Sequence, residues 1–178
     1  MNTLLTTLII GISLSMDTLS LSIIYGTTGI SQKNKNILSI IVGAYHFIMP
    51  LIGLYFGLII EKYIIINLNI LVSVIFLIIS LQMIITTFKK EEKMEPLTIL
   101  GLFLFGFSVS IDSFSTGIGM HVINPHPLQA SFIFAITSLT FTYIGLNFGS
   151  KLNRYLGKYS TLIGGIILFV LAIYYFFK

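Results

Sequence analysis

Apolar residues run through this chain in stretches of about twenty, the length a helix needs to cross a bilayer. Short polar breaks separate them: Lys33-Asn34-Lys35-Asn36, Glu61-Lys62, the stretch from Lys89 to Lys93, His121 to Pro127, and Lys151 to Lys158. The pattern predicts six transmembrane helices, at roughly 3–25, 37–60, 64–88, 97–120, 128–150 and 160–177. A membrane barrel would alternate apolar and polar positions over segments of about ten residues. These runs are continuous in Ile, Leu and Phe, so the expected fold class is an all-α integral membrane protein. Isoleucine favours strands in water, but in lipid each backbone group must bond within its own segment. The first run carries an aspartate near its middle and no basic flank before it, which argues against a cleavable signal peptide.

Composition sharpens this picture. Of 178 residues, 56% are hydrophobic and 9% charged, and the mean hydropathy is +1.00. Soluble domains carry about 25% charged residues, so a water-soluble monomer and a disordered chain are both excluded. The absence of cysteine removes disulfides, thiolate metal sites and cysteine nucleophiles. The net charge of +4 is not a nucleic-acid footprint, because the basic residues sit in the breaks. Loops one, three and five hold Lys33, Lys35, Lys89, Lys90, Lys93, Lys151, Arg154 and Lys158, while the opposite side holds only Lys62 and Lys178. Positive residues stay on the cytoplasmic side. The expected setting is a plasma membrane with both termini outside.

The chain also repeats itself. Residues 11–23 read GISLSMDTLSLSI and residues 106–118 read GFSVSIDSFSTGI, with identities at Gly11/Gly106, Ser13/Ser108, Ser15/Ser110, Asp17/Asp112, Ser20/Ser115 and Ile23/Ile118. A second echo pairs Gly53 and Gly57 with Gly145 and Gly149. Span one therefore corresponds to span four at an offset of 95, and span two to span five at an offset of 92. The expected organisation is a three-helix unit over 1–88, a cytoplasmic linker over 89–96 and a second three-helix unit over 97–178. Three is odd, so the units enter the membrane from opposite sides, as two inverted repeats.

Glu61, Glu91, Glu92 and Glu95 lie in the breaks; Asp17 and Asp112 are the only aspartates and the only acids inside spans. An aspartate at a helix centre costs about 2.5–3.5 kcal/mol on insertion scales, and this chain carries that cost twice at equivalent places. Ser13 and Ser20 flank Asp17 at i−4 and i+3, and Ser108 and Ser115 flank Asp112 in the same way. At about 100° per residue each trio shares one helix face. Facing each other, two such stripes offer a cluster of hard oxygen ligands suited to a divalent cation. The plainer alternatives are aspartates bonded to a neighbouring hydroxyl, or protonated carboxyls that carry no traffic.

Other positions add candidates. His46, at mid-span two, is read as a third metal ligand, as a proton carrier, or as a neutral ring bonded to a carbonyl freed by Pro50. Met49 is a soft thioether and reads as packing. Gly53/Gly57 and Gly145/Gly149 are GxxxG pairs that let backbones approach closely. Gln82 reads as a polar helix–helix contact, and His121, Asn124, Pro125, His126 and Pro127 as a polar turn. No nucleotide-binding loop is present.

With these residues assembled, the chain resembles the small six-span manganese efflux pumps of the MntP type, over nearly its whole length. The resemblance rests on Ser15-Met16-Asp17, on His46-Phe47-Ile48-Met49-Pro50, on Lys89-Lys90-Glu91-Glu92, and on Ser108 to Ser115. It implies export of Mn²⁺ from a bacterial cytoplasm with Asp17 and Asp112 as key residues, Mn²⁺ being a transported substrate and not a resident cofactor. It implies no enzymatic activity. Metal and proton compete for the same oxygens, so exchange for protons is the expected coupling. Two readings from other classes stand beside it. An intramembrane aspartyl protease also needs two membrane aspartates, but the glycine flanks such enzymes use are missing. A sporulation-related or assembly protein without transport would share the same repeat. Oligomeric state is not legible in the sequence.

Overall fold

The computed structural model describes residues 3–63, 67–88, 98–149, 151 and 154–178. Among the described residues there are eight helices and no strand: α1 (Thr3–Gly26), α2 (Gln32–Tyr63), α3 (Leu68–Phe88), α4 (Ile99–Ser108), α5 (Ile111–Ile118), α6 (Met120–Ile123), α7 (Pro127–Phe148) and α8 (Arg154–Phe176). Taking α4 and α5 together as span four, six segments are long and apolar enough to cross a membrane. The all-α, six-span expectation holds. The linker Lys89–Glu95 lies outside the described residues.

Two boundaries differ from the sequence reading. Helix α2 starts at Gln32 and runs straight through Lys33-Asn34-Lys35-Asn36 to Tyr63, 32 residues in all. At 1.5 Å per residue that is about 48 Å, against about 30 Å of hydrocarbon, so its polar first turns lie beyond the apolar layer, where water satisfies their side chains. Span four is not continuous. Helix α4 ends with Val109 as its C-cap, where the Ser110 N–H turns back to the Phe107 carbonyl at 3.2 Å, and α5 begins at Ile111. The serine–aspartate stripe expected along one unbroken helix is therefore split, with Ser108 on one segment and Asp112 and Ser115 on the next.

The bundle is polar inside and apolar outside, the reverse of a soluble domain. Side chains such as Ile40, Tyr55, Ile78, Ile85, Leu100 and Phe132 are exposed, while Thr7, Ser15, Ser22, Ser80, Ser138 and Thr142 are buried. Without a hydrophobic force between helices in lipid, association relies on close packing and hydrogen bonds across helices. Buried hydroxyls supply several of the latter: Ser15 to Ser138 at 3.0 Å, Ser73 to the Ala172 carbonyl at 2.7 Å and Ser80 to the Gly165 carbonyl at 2.8 Å.

Glycines supply the close packing. A Cβ on Gly53 would collide with the Phe114 carbonyl, and one on Gly57 with the Ile118 carbonyl, so α2 lies backbone to backbone against α5. Likewise, a Cβ on Gly145 would meet Ser22 and the Leu19 carbonyl, and one on Gly149 the Ile23 carbonyl, so α7 lies against α1. The two sets interconvert under the sequence offsets: Gly53 and Gly57 become Gly145 and Gly149, while Phe114, Gly117 and Ile118 correspond to Leu19, Ser22 and Ile23. The main partners are α1 with α7 and α8, α2 with α5 and α7, and α3 with α8. Each joins a helix from 1–88 to one from 97–178, so the two sequence halves interleave.

Two apolar clusters form where span one meets span four. Ile10, Leu14, Phe134, Met120 and Ile123 belong to the larger, which continues into α3 and α8. Tyr25, Leu38, Val42, Leu102, Phe105, Val109 and Leu146 form the smaller. The spans thus run antiparallel, with the start of α1 near α6 and its end near α4, and the aspartates fall between the clusters.

These backbone contacts predict that Gly53→Ala and Gly145→Ala each destabilise the bundle by about 1–3 kcal/mol. Loss of folded protein on heating in detergent, followed by gel filtration, checks this; Gly29, with φ 74° and nothing within 4 Å of an added Cβ, has no such contact to break.

Candidate functional site

Asp17 lies in the middle of α1 and Asp112 in the first turn of α5. Both sit deep in the packed protein with part of their surface still open. Among the described residues, nothing donates a hydrogen bond to the Asp17 carboxyl. Asp112 accepts one at 2.7 Å from the Ser113 N–H onto Oδ1. The break at Val109–Ser110 accounts for that geometry, since it creates a new helix start where a carboxylate meets free N–H groups. Both aspartates fall between the same two apolar clusters. With both ionised, that arrangement is repulsive in a low-dielectric interior, and a cation or protons relieve it.

Three of the four flanking serines bond within their own helices. Ser13 donates back to the Ile9 carbonyl at 2.8 Å, Ser108 to the Leu104 carbonyl at 2.8 Å and Ser115 to the Ile111 carbonyl at 3.1 Å. Their protons are spent on their own helices. Ser13 and Ser20 lie on the face of α1 that packs against α8, where a Cβ on Gly164 would meet the Ser13 carbonyl and one on Gly157 would meet Ser20. Ser108 is exposed, beside a cleft of about 310 Å³ lined by Leu21, Tyr25, Gly101, Leu104, Phe105 and Val109. Ser13 and Ser108 are equivalent in sequence, yet one is sealed and the other open.

His46 is fully buried. Its Nδ1 lies 3.0 Å from the Val42 carbonyl, and its Nε2 has no partner. The carbonyl is the one four residues back; the one Pro50 leaves without a donor is that of His46 itself. Among the described residues no group of three His, Cys, Asp or Glu is placed to hold a metal ion, so His46 does not complete a triad with the aspartates here. Gln82 carries no side-chain bond across helices, and only its carbonyl is used, by Thr86 at 2.7 Å. The turn after span four is partly helical, as α6. Its Asn124 reaches Thr7 at 3.1 Å across the bundle, and His121 pairs with Glu61 at 3.3 Å.

Sequence reasoning passed over a second set of hydroxyls. Thr18, directly after Asp17, is fully buried with no hydrogen-bond partner among the described residues, as are Ser22 and Thr116, while Ser113, directly after Asp112, is buried with its side chain turned to the Asp112 carboxyl. The repeat itself held the signal, since Thr18 and Ser113 correspond at the offset of 95, but the strict serine identities drew attention to the flanks.

Six apolar spans with two aspartates among them define a multi-pass membrane protein. A family profile described as "Putative manganese efflux pump" matches residues 29–176. Relatives carrying that description and the name MntP include proteins of Bacillus pumilus, 31% identical over 96% of this chain and 93% of the relative, and Oceanobacillus iheyensis, 32% over 96% and 94%. Another, from Halalkalibacterium halodurans, is 32% identical over 93% of this chain and 92% of its own. The chain belongs to this manganese efflux pump family, whose members are named as transporters and not as enzymes. No solved structure matches the chain.

The unequal surroundings of Ser13 and Ser108 predict unequal reactivity. Since the chain has no native cysteine, Ser108→Cys should label readily with a small water-soluble thiol reagent in membrane vesicles. Ser13→Cys should stay unlabelled until the protein is denatured. Equal labelling rates would show that the two sides of the bundle are equally open.

Proposed function

We propose that this protein exports Mn²⁺ from the bacterial cytoplasm, holding the ion between Asp17 and Asp112 at mid-membrane and exposing it alternately to the two sides. One observation carries the reading: the chain's two aspartates lie on antiparallel spans between two apolar clusters. A doubly charged ion neutralises such a pair, and the clusters keep ions from leaking past it. The paired glycine contacts support two inverted three-helix repeats, with the axis between the aspartates. The eight-to-two distribution of Lys and Arg supports termini outside the plasma membrane, which puts the Tyr25–Phe105 cluster on the cytoplasmic side.

In this mechanism the ion enters past Ser108 and the Tyr25–Phe105 ring pair, whose centroids are 5.1 Å apart at 87°. It exchanges part of its water for the carboxylates. Closure of that side and opening between Met120, Leu14 and Ile10 then release it outward. Because the sequence halves interleave, the moving parts are not 1–88 against 97–178. The contact between span three and α5 is slight beside that of α1 with α8, and span four is free to swing there. An inside-negative potential opposes outward movement of charge by about 2.3 kcal/mol per charge for each 100 mV. Protons taking the metal's place on the carboxylates carry charge back, so the transport cycle is an exchange of Mn²⁺ for protons.

Asp17→Asn and Asp112→Asn, each expressed to normal membrane levels in a manganese-sensitive strain, should abolish Mn²⁺ tolerance and raise cellular manganese. Full tolerance in both would end this reading, and an unchanged metal phenotype on deletion of the gene would favour a non-transporting assembly role. In vesicles, acidifying the outer side should speed Mn²⁺ efflux, since protons displace the ion where it leaves. Flux indifferent to the pH difference would rule out the exchange.

A further inference from the structure

We infer that His46 is a positioning residue for Asp112: its Nε2 takes the Ser110 hydroxyl when the break in span four closes, and so sets where the carboxyl two residues further on is held. This rests on the proposed Asp17–Asp112 transport cycle and deepens it. His46 is fully buried, with Nδ1 on the Val42 carbonyl at 3.0 Å and no partner on Nε2. A carbonyl only accepts, so Nδ1 carries the proton and the Nε2 of the neutral ring is a bare acceptor. A buried acceptor without a donor is costly. The donor that would satisfy it must come from a neighbouring helix.

The repeat selects that donor. Helix α1 lies against α7 through three contacts in register. A Cβ on Gly11 would meet Ile133, Phe134 and Thr137, Ser15 bonds Ser138 at 3.0 Å, and a Cβ on Gly145 would meet Leu19 and Ser22. Span four lies against α2 through the equivalents of the first and the third. A Cβ on Gly106 would meet Ile41 and Tyr45, and one on Gly53 would meet Phe114 and Gly117. Under the offsets of 95 and 92, Ser15 corresponds to Ser110 and Ser138 to His46. Ser110 and His46 therefore occupy the places of the bonded serine pair, and both are fully buried. Val42, His46, Pro50, Gly53 and Gly57 follow at spacings that keep them on one face of α2, and Pro50 on that face packs against Gly117.

The second pair is not bonded in this structure, and the difference lies in span four. Helix α1 runs unbroken through Leu14 and Ser15. There Ser15 donates to the Gly11 carbonyl at 2.6 Å, so Ser138 is the donor between the two serines. At the equivalent place span four is interrupted. Ser110 turns both its N–H and its hydroxyl to the Phe107 carbonyl, at 3.2 and 2.9 Å. Histidine in place of serine reverses the demand across the contact. Ser138 donates to Ser15, whereas Nε2 can only accept from Ser110. A serine has one hydroxyl proton. It serves either the Phe107 carbonyl, with the break open, or His46, with the helix continued as in α1. Asp112 follows in the first turn of α5 and is carried along by that choice.

The test is Mn²⁺ uptake by everted vesicles containing the full chain. His46→Leu and Ser110→Ala should each lower kcat roughly tenfold, the effect of losing one buried hydrogen bond made at a single step of the cycle. The KM for Mn²⁺ should stay within about twofold, because the bond is not made to the ion. The double variant should be no slower than either single one, since both remove the same bond. His46→Gln, whose amide offers an acceptor without a titrating ring, should recover most of the loss. Cross-linking gives a readout that needs no turnover. The chain has no native cysteine, so His46→Cys combined with Ser110→Cys should form a disulfide on mild oxidation, as Ser15→Cys with Ser138→Cys should. No disulfide between positions 46 and 110 would overturn the register. Losses that add in the double variant would overturn the shared bond. A raised KM, or His46→Gln as slow as His46→Leu, would overturn the positioning role and leave the ring nitrogen as a ligand or proton carrier. In each of these cases the aspartate site still stands. A wild-type chain that moves no Mn²⁺ removes the transport reading, and this assignment with it.

Discussion

Two acid side chains must be kept where there is no water, and most of the architecture answers to that requirement. Lipid offers nothing to a carboxylate, so the protein surrounds Asp17 and Asp112 with itself. Hydroxyl-rich faces turn inward and Ile, Leu and Phe turn outward to the acyl chains. Apolar clusters lie above and below the pair, and a bare cation crossing either would lose its hydration without compensation. The break in span four serves the same end. It gives Asp112 a backbone N–H from Ser113, which an unbroken helix would have committed to its own ladder.

The clusters are related to each other more closely than their sizes suggest. Tyr25, Val42, Phe105 and Val109 correspond, under the two offsets, to Met120, Phe134, Ile10 and Leu14. What differs is how tightly they are sealed. Tyr25 and Phe105 each keep 9% of their surface open, whereas Ile10, Leu14, Met120 and Phe134 keep none. The larger cluster gains its extra depth from Val72, Phe76, Leu168 and Tyr175 of α3 and α8. Equivalent residues thus sit in unequal surroundings.

Much of this was legible in the sequence. The spans follow from apolar runs long enough to cross a bilayer, and the glycine pairs marked contact points because only a missing side chain allows that approach. Other features were hidden for physical reasons. Nothing in Phe107-Ser108-Val109-Ser110-Ile111 is a proline or glycine, so no residue there announces the interruption of span four. Helix α2 continues through Lys33–Asn36 because those residues are polar without being poor helix formers as a group, and polarity marks the edge of lipid, not the end of a helix. Whether a serine turns back on its own helix is a matter of rotamer and neighbour. Spacing therefore singled out Ser13, Ser20, Ser108 and Ser115 but gave no sign of the buried Thr18 and Ser113 beside the aspartates.

The glycine contacts carry one more consequence. Where backbone meets backbone, as between α2 and α5 or α1 and α7, there is no side chain left to compress or re-rotate, and such pairs behave as stiff rods. A stiff frame concentrates deformation at its weakest joint, and the short non-helical stretch at Val109–Ser110 is that joint. That joint lies two residues before Asp112, so any bend there would re-aim its carboxyl.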